Sequence, residues 1–129
     1  MIHAHTAFER AEATLDVAAL AALLADPVPP CQVLIAERGE VLLGYAALTF
    51  DYALWRGSRW AHLDCLYVRA THRGQAIGQR LLHAACAAAK AEGADRMEWQ
   101  TPEWNERATA FYCRIGAAMT AKTRFALVL

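Results

Sequence analysis

The sequence predicts one domain of mixed α and β structure spanning residues 1–129. Its length of 129 residues is typical of one domain, and a hydrophobic content of 57% is sufficient for a buried core. Segments with the two-residue period of strands alternate with segments that have the 3.6-residue period of helices. The resulting order is helix, hairpin, strand, helix, strand, helix, strand. We therefore expect the third and fourth strands to be parallel and joined by a right-handed crossover.

The N-terminal third of the chain predicts a helix and a β-hairpin. Residues 1–10 have no clear pattern and are expected to be disordered or to form a short strand. From Ala11 to Ala25, alanine and leucine recur at helical spacing, and Asp26-Pro27 should end this helix because proline disfavours helix in the preceding residue. The hairpin is expected from two strands and the turn between them, namely Gln32–Glu37, Val41–Phe50 and Arg38-Gly39-Glu40.

The middle of the chain predicts a strand, a basic loop and a long helix. Gly44, inside the preceding strand, indicates a bulge or a close approach of backbones. A polar and aromatic loop over Asp51–Arg59 should lead into the strand Trp60–Val68. Alternation along that strand would place His62, Asp64, Leu66 and Val68 on one face, and Leu63, Cys65 and Tyr67 on the other. The basic loop Arg69–Arg73 then opens a helix over Gln75–Glu92, whose apolar stripe predicts one buried side.

The C-terminal third predicts a strand, a helix and a final strand or hairpin. The strand is expected over Asp95–Thr101. Asn105 can cap a helix that reaches Ile115 and closes at Gly116. The last segment, Ala117–Leu129, is expected to form a hairpin or one long strand.

Charge and cysteine content exclude several classes of function. The 13 basic and 13 acidic side chains balance to a formal net charge of zero, which does not favour nucleic acid or a membrane surface as a partner. The longest apolar stretch, Val17–Ala25, is far shorter than the ~20 residues that span a bilayer. The four cysteines form no C-x-x-C pair, so we expect reduced thiols, a cytoplasmic location and no metal site.

The unit formed by the third strand, the basic loop and the long helix carries the first functional signal. Small residues open the helix in Arg73-Gly74-Gln75-Ala76-Ile77-Gly78. The first N–H groups of a helix have no intrahelical partner, and with the helix dipole they form a site for an anion such as phosphate. The segment matches neither G-x-x-x-x-G-K-[ST] nor G-x-G-x-x-G, so it is neither a Walker loop nor a dinucleotide fingerprint.

A second signal follows the fourth strand. In Trp104–Tyr112, the residues Asn105, Ala108 and Tyr112 share one side of the predicted helix because their spacing is i, i+3, i+7. An amide, a small residue and a phenol would thus face the same direction.

With both motifs in this order, the chain resembles the GCN5-related N-acetyltransferase (GNAT) superfamily. That family's Arg/Gln-x-x-Gly-x-Gly/Ala motif corresponds to Arg73–Gly78, with Ala76 where glycine is usual. Its second motif corresponds to Asn105, Ala108, Phe111-Tyr112 and Gly116-Ala117. The sequence of the segments His62–Arg73 and Glu103–Ala117 looks most like that of the diamine (spermidine/spermine) acetyltransferase branch.

The resemblance implies a fold and a cofactor site. The fold is a mostly antiparallel twisted sheet with a central, splayed parallel strand pair flanked by helices. The family's first strand would be missing here, degenerate, or supplied by residues 1–7. Acetyl-CoA would be the cosubstrate, with its pantetheine arm along the backbone of Leu66, Tyr67 and Val68. Its pyrophosphate would lie on Arg73, Gly74, Gln75, Ala76, Ile77 and Gly78, and Asn105 would contact the cofactor arm.

The resemblance also implies catalytic roles. Asp64 would remove a proton from the amine, and Tyr112 would protonate the departing CoA thiolate. Each role has a structural alternative, because Asp64 is also explained as a solvated residue or a partner of Arg69, and Tyr112 as a core aromatic. Asn105 is also explained as an N-cap alone. His62 is explained as a second base, a substrate contact or a structural residue.

The implied function is the transfer of an acetyl group from acetyl-CoA to a primary amine of a small molecule or peptide, which makes this an acyltransferase. The alternative is a non-catalytic acyl-CoA-binding module or partner subunit. A homodimer is a further expectation, because Thr123–Leu129 and an open sheet edge are able to pair with a second copy.

Overall fold

A four-stranded sheet with the strand order β1-β2-β3-β4 organises the first part of the chain. The structure is a computed structural model that describes residues 1–128. Its strands are β1 (Cys31–Arg38), β2 (Val41–Ala53), β3 (Ser58–Val68) and β4 (Met97–Glu98). Its α-helices are α1 (Ile2–Phe8), α2 (Val17–Leu24), α3 (Ile77–Ala91) and α4 (Glu106–Arg114), with a short 3₁₀ turn over Ala70–His72.

The mixed α/β class and the parallel crossover are confirmed. β1 pairs with β2 and β2 with β3 in antiparallel fashion, whereas β3 and β4 are parallel and joined through α3. The chain divides into two compact units, of which Met1–Trp99 contains the sheet and α1 to α3. The second unit, from Gln100 onwards, contains α4.

The core of the first unit lies between the sheet and one side of α3. The predicted apolar stripe was Ile77, Leu81, Leu82, Ala85, Ala88 and Ala89, and all of these side chains are buried except Ala88, which is half-buried. The central strands bury apolar side chains on both faces of the sheet, namely Leu43, Tyr45, Ala46, Leu48, Ala61, Leu63 and Tyr67. Of these, Tyr45 and Tyr67 contact His5 of α1. Burial of this apolar surface is the main stabilising contribution to the unit.

Gly44 lies beside a β-bulge and at a close approach of backbones, the two features that a glycine inside a strand predicts. Ala36 pairs with Gly44 and Glu37 with Leu42, so Leu43 is the extra residue of a bulge. A Cβ atom at Gly44 would lie 2.5 Å from the Tyr67 carbonyl oxygen and 3.2 Å from Leu81 Cδ1. Only glycine therefore fits between β3 and α3 at this point.

The N-terminal predictions were wrong in two places. Residues 2–8 are the helix α1 rather than disorder or a strand, and it is held by side-chain contacts to the sheet that no local periodicity reports. The helix predicted over Ala11–Ala25 forms only as α2, because the Asp16 carboxylate accepts from the Ala18 N–H at 3.1 Å and caps the helix there.

Strand lengths around the middle hairpin also differ from expectation. Asp51, Tyr52 and Ala53 pair with Trp60, Arg59 and Ser58, so the expected loop Asp51–Arg59 shrinks to a turn over residues 54–57. Gly57 makes this turn possible with φ of 63°. The long strand predicted over Asp95–Thr101 is only the two-residue β4.

The C-terminal helix was predicted correctly and the segment after it was not. α4 begins after its N-cap Asn105 and ends at Arg114, and Gly116 follows the C-cap Ile115 with φ of 88°. Residues 117–128 form no strand, although a strand or hairpin was expected over Ala117–Leu129. Leu129 lies outside the described residues. The large apolar side chains of this segment are exposed, namely Met119, Phe125, Leu127 and Val128.

Candidate active site

The C-terminal half of β3 has one paired and one open edge. Toward β2, the residues Leu66, Tyr67 and Val68 pair with Ala46, Tyr45 and Gly44. Toward β4, the ladder contains only Ala61↔Met97 and His62↔Glu98. The strands thus separate after His62, and the β3 backbone beyond it carries N–H and C=O groups that β4 does not use. Such an edge can hydrogen-bond an extended ligand that contains amides.

The loop after β3 is fixed to the sheet by its arginines. Arg69 donates from its backbone N–H to Leu43 O at 2.9 Å and from Nε to Leu42 O at 2.6 Å. The Arg69 side chain is therefore turned toward β2 rather than toward Asp64. Arg73 Nε donates to Val68 O at 3.0 Å, and its guanidinium lies 4.7 Å from the Phe8 ring centroid and 5.7 Å from that of Tyr67.

The start of α3 has backbone donors that no described side chain caps. The helix begins at Ile77, two residues later than predicted, because Ala76 is left-handed with φ of 58°. Within residues 1–128, no side chain caps this end and no acidic residue occupies its first turn. Gly74, with φ of 80°, would have no described atom within 4 Å of an added Cβ. The first N–H groups of α3 therefore remain available to an anion.

Asp64 is the extra residue of a second bulge. Ala47 pairs with Cys65 and Leu48 with Leu63, which leaves Asp64 without a partner on β2. Bulges turn a side chain away from its regular direction and are frequent next to active sites. The carboxylate is largely exposed, and its Oδ1 lies 3.9 Å from His62 Nε2. Sequence periodicity could not reveal this bulge.

Sequence reasoning missed a cluster of polar side chains beside Asp64. The Cys65 thiol donates to Asp64 Oδ2 at 3.4 Å, and the Tyr45 hydroxyl hydrogen-bonds the same thiol. His5 Nδ1 is 2.7 Å from the Tyr45 hydroxyl oxygen, and the His5 ring stacks on Tyr67 with centroids 5.0 Å apart. No motif contains His5 or Tyr45, so only the folded chain brings them together.

Burial controls the ionisation of this cluster. It lowers the pKa of His5 below the usual 6.5. The nearby Asp64 charge raises this pKa and opposes the effect, whereas the Arg73 charge lowers it further. Burial first, and the Asp64 charge second, raise the pKa of Cys65 to about 11. The same burial, aided by Cys65, raises the pKa of Tyr45 far above its usual value of 10. At neutral pH, Cys65 and Tyr45 therefore carry their protons and His5 is uncharged.

The second unit holds the other two predicted site residues. Asn105 is buried, and its Oδ1 accepts from the Ala108 N–H at 3.2 Å, which confirms the N-cap. Tyr112 lies two turns later on α4, with its ring centroid 5.2 Å from that of Phe111. The face shared by Asn105, Ala108 and Tyr112 is thus part of a formed helix.

Two tryptophans of the first unit differ in exposure. Trp60 is half-buried and packs edge-on against His62, with ring centroids 6.2 Å apart. Trp55 is 92% exposed on the β2–β3 turn, so packing does not explain it. Among residues 1–128, no group of three or more histidine, cysteine or acidic side chains is placed to hold a metal ion. Every helix in that range falls short of the length and apolarity that a bilayer crossing requires.

Comparison with known proteins identifies related sequences. Over 80 residues the chain is 31% identical to thialysine N-epsilon-acetyltransferase of Bos taurus, covering 62% of this chain and 46% of that protein. Over 90 residues it is 33% identical to blasticidin-S acetyltransferase of Streptomyces morookaense, covering 66% of this chain and 57% of that protein. The chain spans about half the length of these curated relatives.

Solved structures and a family profile cover more of the chain. An aminoglycoside acetyltransferase from an uncultured soil metagenomic sample superposes with a TM-score of 0.83 at 19% identity, covering 99% of this chain and 84% of that one. This likeness shows the fold. The profile of the acetyltransferase (GNAT) family matches residues 3–117, which is most of the chain. The chain therefore belongs to the GNAT acetyltransferase family.

Proposed function

We propose that this chain transfers an acetyl group from acetyl-CoA to a primary amine by direct attack of the amine on the thioester. The observation that carries the proposal is the uncapped start of α3 beside the open edge of β3. The first provides N–H donors for a pyrophosphate, and the second provides backbone groups for the amides of a pantetheine arm.

The cofactor contacts follow the two parts of the site. The backbone of Leu66, Tyr67 and Val68 would bind the pantetheine arm. The turn from Arg73 through Gly74, Gln75, Ala76, Ile77 and Gly78 would bind the pyrophosphate through its N–H groups. The Arg73 side chain is engaged with Val68, Phe8 and Tyr67, so its role would be to hold the turn rather than to reach the phosphates. Asn105 would contact the cofactor arm from the second unit.

The chemical step requires one proton to leave and one to arrive. A primary amine with a pKa of ~10 is mostly protonated at neutral pH, so Asp64 would act as the base, directly or through water. The amine nitrogen then attacks the thioester carbon, and the Leu66 N–H would stabilise the oxyanion. The C–S bond breaks as the intermediate collapses, and Tyr112 would give its proton to the CoA thiolate.

The acceptor we propose is a small-molecule amine, such as a diamine, a polyamine or an amino acid. Two relatives are named for thialysine and blasticidin-S, which are small molecules. The exposed Asp64 carboxylate would also attract a cationic acceptor. A peptide amine is the second acceptor class, and an assay panel separates the two.

The test is thiol release from acetyl-CoA with a panel of diamines, polyamines, amino acids, aminoglycosides and peptides. We expect release with at least one acceptor. Asp64→Asn and Tyr112→Phe should each lower kcat by roughly 10²-fold or more, since acid–base groups contribute about 10²–10⁴. Asp95→Asn is the control and should leave the rate unchanged. No release across the panel, or a Tyr112→Phe variant equal to the wild type, would contradict the proposal.

The second candidate function is an acyl-CoA-binding module without catalysis. Ala76 favours it, because its methyl group stands in the turn where the family has glycine. Calorimetry with CoA separates the candidates, since binding without turnover supports the module and turnover supports the enzyme.

We also propose a cytoplasmic location and a homodimer. The cysteines Cys31, Cys65, Cys86 and Cys113 are free thiols, as is usual in a reducing compartment. The exposed apolar segment after residue 117 provides a surface on which a second copy would pack.

A further inference from the structure

Four side chains of the first unit form a continuous hydrogen-bonded series that ends on Asp64. The distances are 2.7 Å from His5 Nδ1 to the Tyr45 hydroxyl oxygen and 3.4 Å from Cys65 Sγ to Asp64 Oδ2, with Tyr45 and Cys65 hydrogen-bonded between them. The series, which we call the His5–Asp64 chain, links α1 through β2 to β3. The proposed acid–base chemistry uses only its last member.

The direction of these hydrogen bonds follows from the charge at one end. An ionised carboxylate only accepts, so the single proton of the Cys65 thiol is drawn to Asp64. The thiol sulfur can then accept from the Tyr45 hydroxyl, which has only one proton to give. The Tyr45 oxygen can in turn accept only from a protonated Nδ1 of His5. All three donors therefore point toward Asp64.

We infer that His5 and Tyr45 are positioning residues for Asp64, acting through the Cys65 thiol to hold the carboxylate in one orientation. The inference rests on the proposed function, in which Asp64 is the base. The bulge leaves the Asp64 residue without a β2 partner, so side-chain contacts rather than a ladder must fix its direction. The other carboxylate oxygen of Asp64, Oδ1, has a longer contact, 3.9 Å to His62 Nε2.

The surroundings of the chain support this arrangement. Tyr45 is buried, and the His5 ring is clamped between Tyr45 at 5.7 Å and Tyr67 at 5.0 Å, measured between centroids. Arg73 and Asp64 act on His5 with opposite charges, and Glu9 adds a negative charge near Cys65. The N-terminal helix thus reaches the proposed base through side chains that have few alternative orientations.

The first test needs no substrate. Nitrogen-15 NMR of the histidine rings at pH 7.5 should find His5 in the Nδ1–H tautomer, and Tyr45→Phe should release it to the Nε2–H form. An Nε2–H tautomer in the wild type would mean that Tyr45 donates to His5, which overturns the inference. His3, on the same helix but exposed, is the reference signal.

The second test measures the reaction. His5→Ala and Tyr45→Phe should each lower kcat about 10-fold through misplacement of Asp64, with KM for acetyl-CoA unchanged. His5→Asn, whose amide can donate from the Nδ1 position, should restore most of kcat, and His3→Ala should match the wild type.

The outcomes separate this inference from the proposed function. If the wild type turns over and His5→Asn is as slow as His5→Ala, the directed donor is not needed and the inference fails while the function stands. Turnover with an unchanged kcat in Tyr45→Phe would likewise overturn the inference and leave the function intact. Absence of turnover in the wild type overturns the function and, with it, the role of His5.

Discussion

At the scale of single residues, the backbone of the proposed cradle is shaped by one unusual alanine. Ala76 is one of two non-glycine residues with positive φ among residues 1–128, the other being Arg10. A side chain in this left-handed region costs about 1–2 kcal/mol because Cβ approaches the following carbonyl. The resemblance identified Ala76 as a departure from glycine, but only the structure reveals that the departure strains the backbone.

We expect Ala76→Gly to stabilise the protein. Relief of the left-handed strain should exceed the added entropy of the unfolded chain and raise the free energy of unfolding by about 0.5–1 kcal/mol. Removal of the methyl group should also strengthen CoA binding. Chemical denaturation and calorimetry measure the two effects. Ala87→Gly, in the exposed middle of α3, is the matched control and should destabilise instead.

His5 makes stability depend on pH in a predictable direction. Its pKa is lowered in the folded protein, so the unfolded chain binds the proton more readily and stability falls as pH decreases. The contribution is complete above about 6.5, the unfolded value, and is lost progressively below it. Urea denaturation between pH 7.5 and 5.5 should show a steeper loss for the wild type than for His5→Asn. Equal slopes would contradict the assignment.

At the scale of elements, sequence patterns predicted what local periodicity controls. The strand β3, the buried stripe of α3 and the Asn105 cap of α4 depend on neighbours within a few residues, and all three are confirmed. α1 and the Asp64 bulge could not be predicted, because the first is held by contacts to Tyr45, Tyr67 and Arg73 and the second by pairing with β2. The signal for both lies in tertiary contacts.

Close packing between elements makes Gly44 a sensitive position. In Gly44→Ala the new Cβ would meet the Tyr67 carbonyl oxygen at 2.5 Å, so β2 and β3 must move apart. We expect a loss of about 1–3 kcal/mol in the free energy of unfolding, as for overpacked cores, together with weaker CoA binding. Gly39→Ala is the control, because a Cβ at Gly39 would have no described atom within 4 Å. It therefore measures only the strain of a positive φ. A loss no larger than that of Gly39→Ala would contradict the packing argument.

At the scale of the whole molecule, a single domain over residues 1–129 remains a prediction. The described chain divides after Trp99 into two compact units, one with the proposed cradle and Asp64, the other with Asn105 and Tyr112. The proposed reaction needs groups from both. A single cooperative unfolding transition, seen equally by far-ultraviolet circular dichroism and by tryptophan fluorescence, would be expected of one domain.

The homodimer is tested on the same scale. Phe125, Leu127 and Val128 are 89%, 85% and 98% exposed, and they lie in the strand-like sequence that predicted pairing with a second copy. Burial of each such side chain contributes about 1.5–3 kcal/mol, so an interface through this segment would be favourable.

Light scattering after size exclusion should find a dimer for the wild type and a monomer for the double variant Phe125→Asp, Leu127→Asp. Ala121→Asp, which adds charge at an exposed neighbouring position, should stay dimeric. A monomeric wild type at micromolar concentration, or a double variant that remains a dimer, would rule out an interface at this segment.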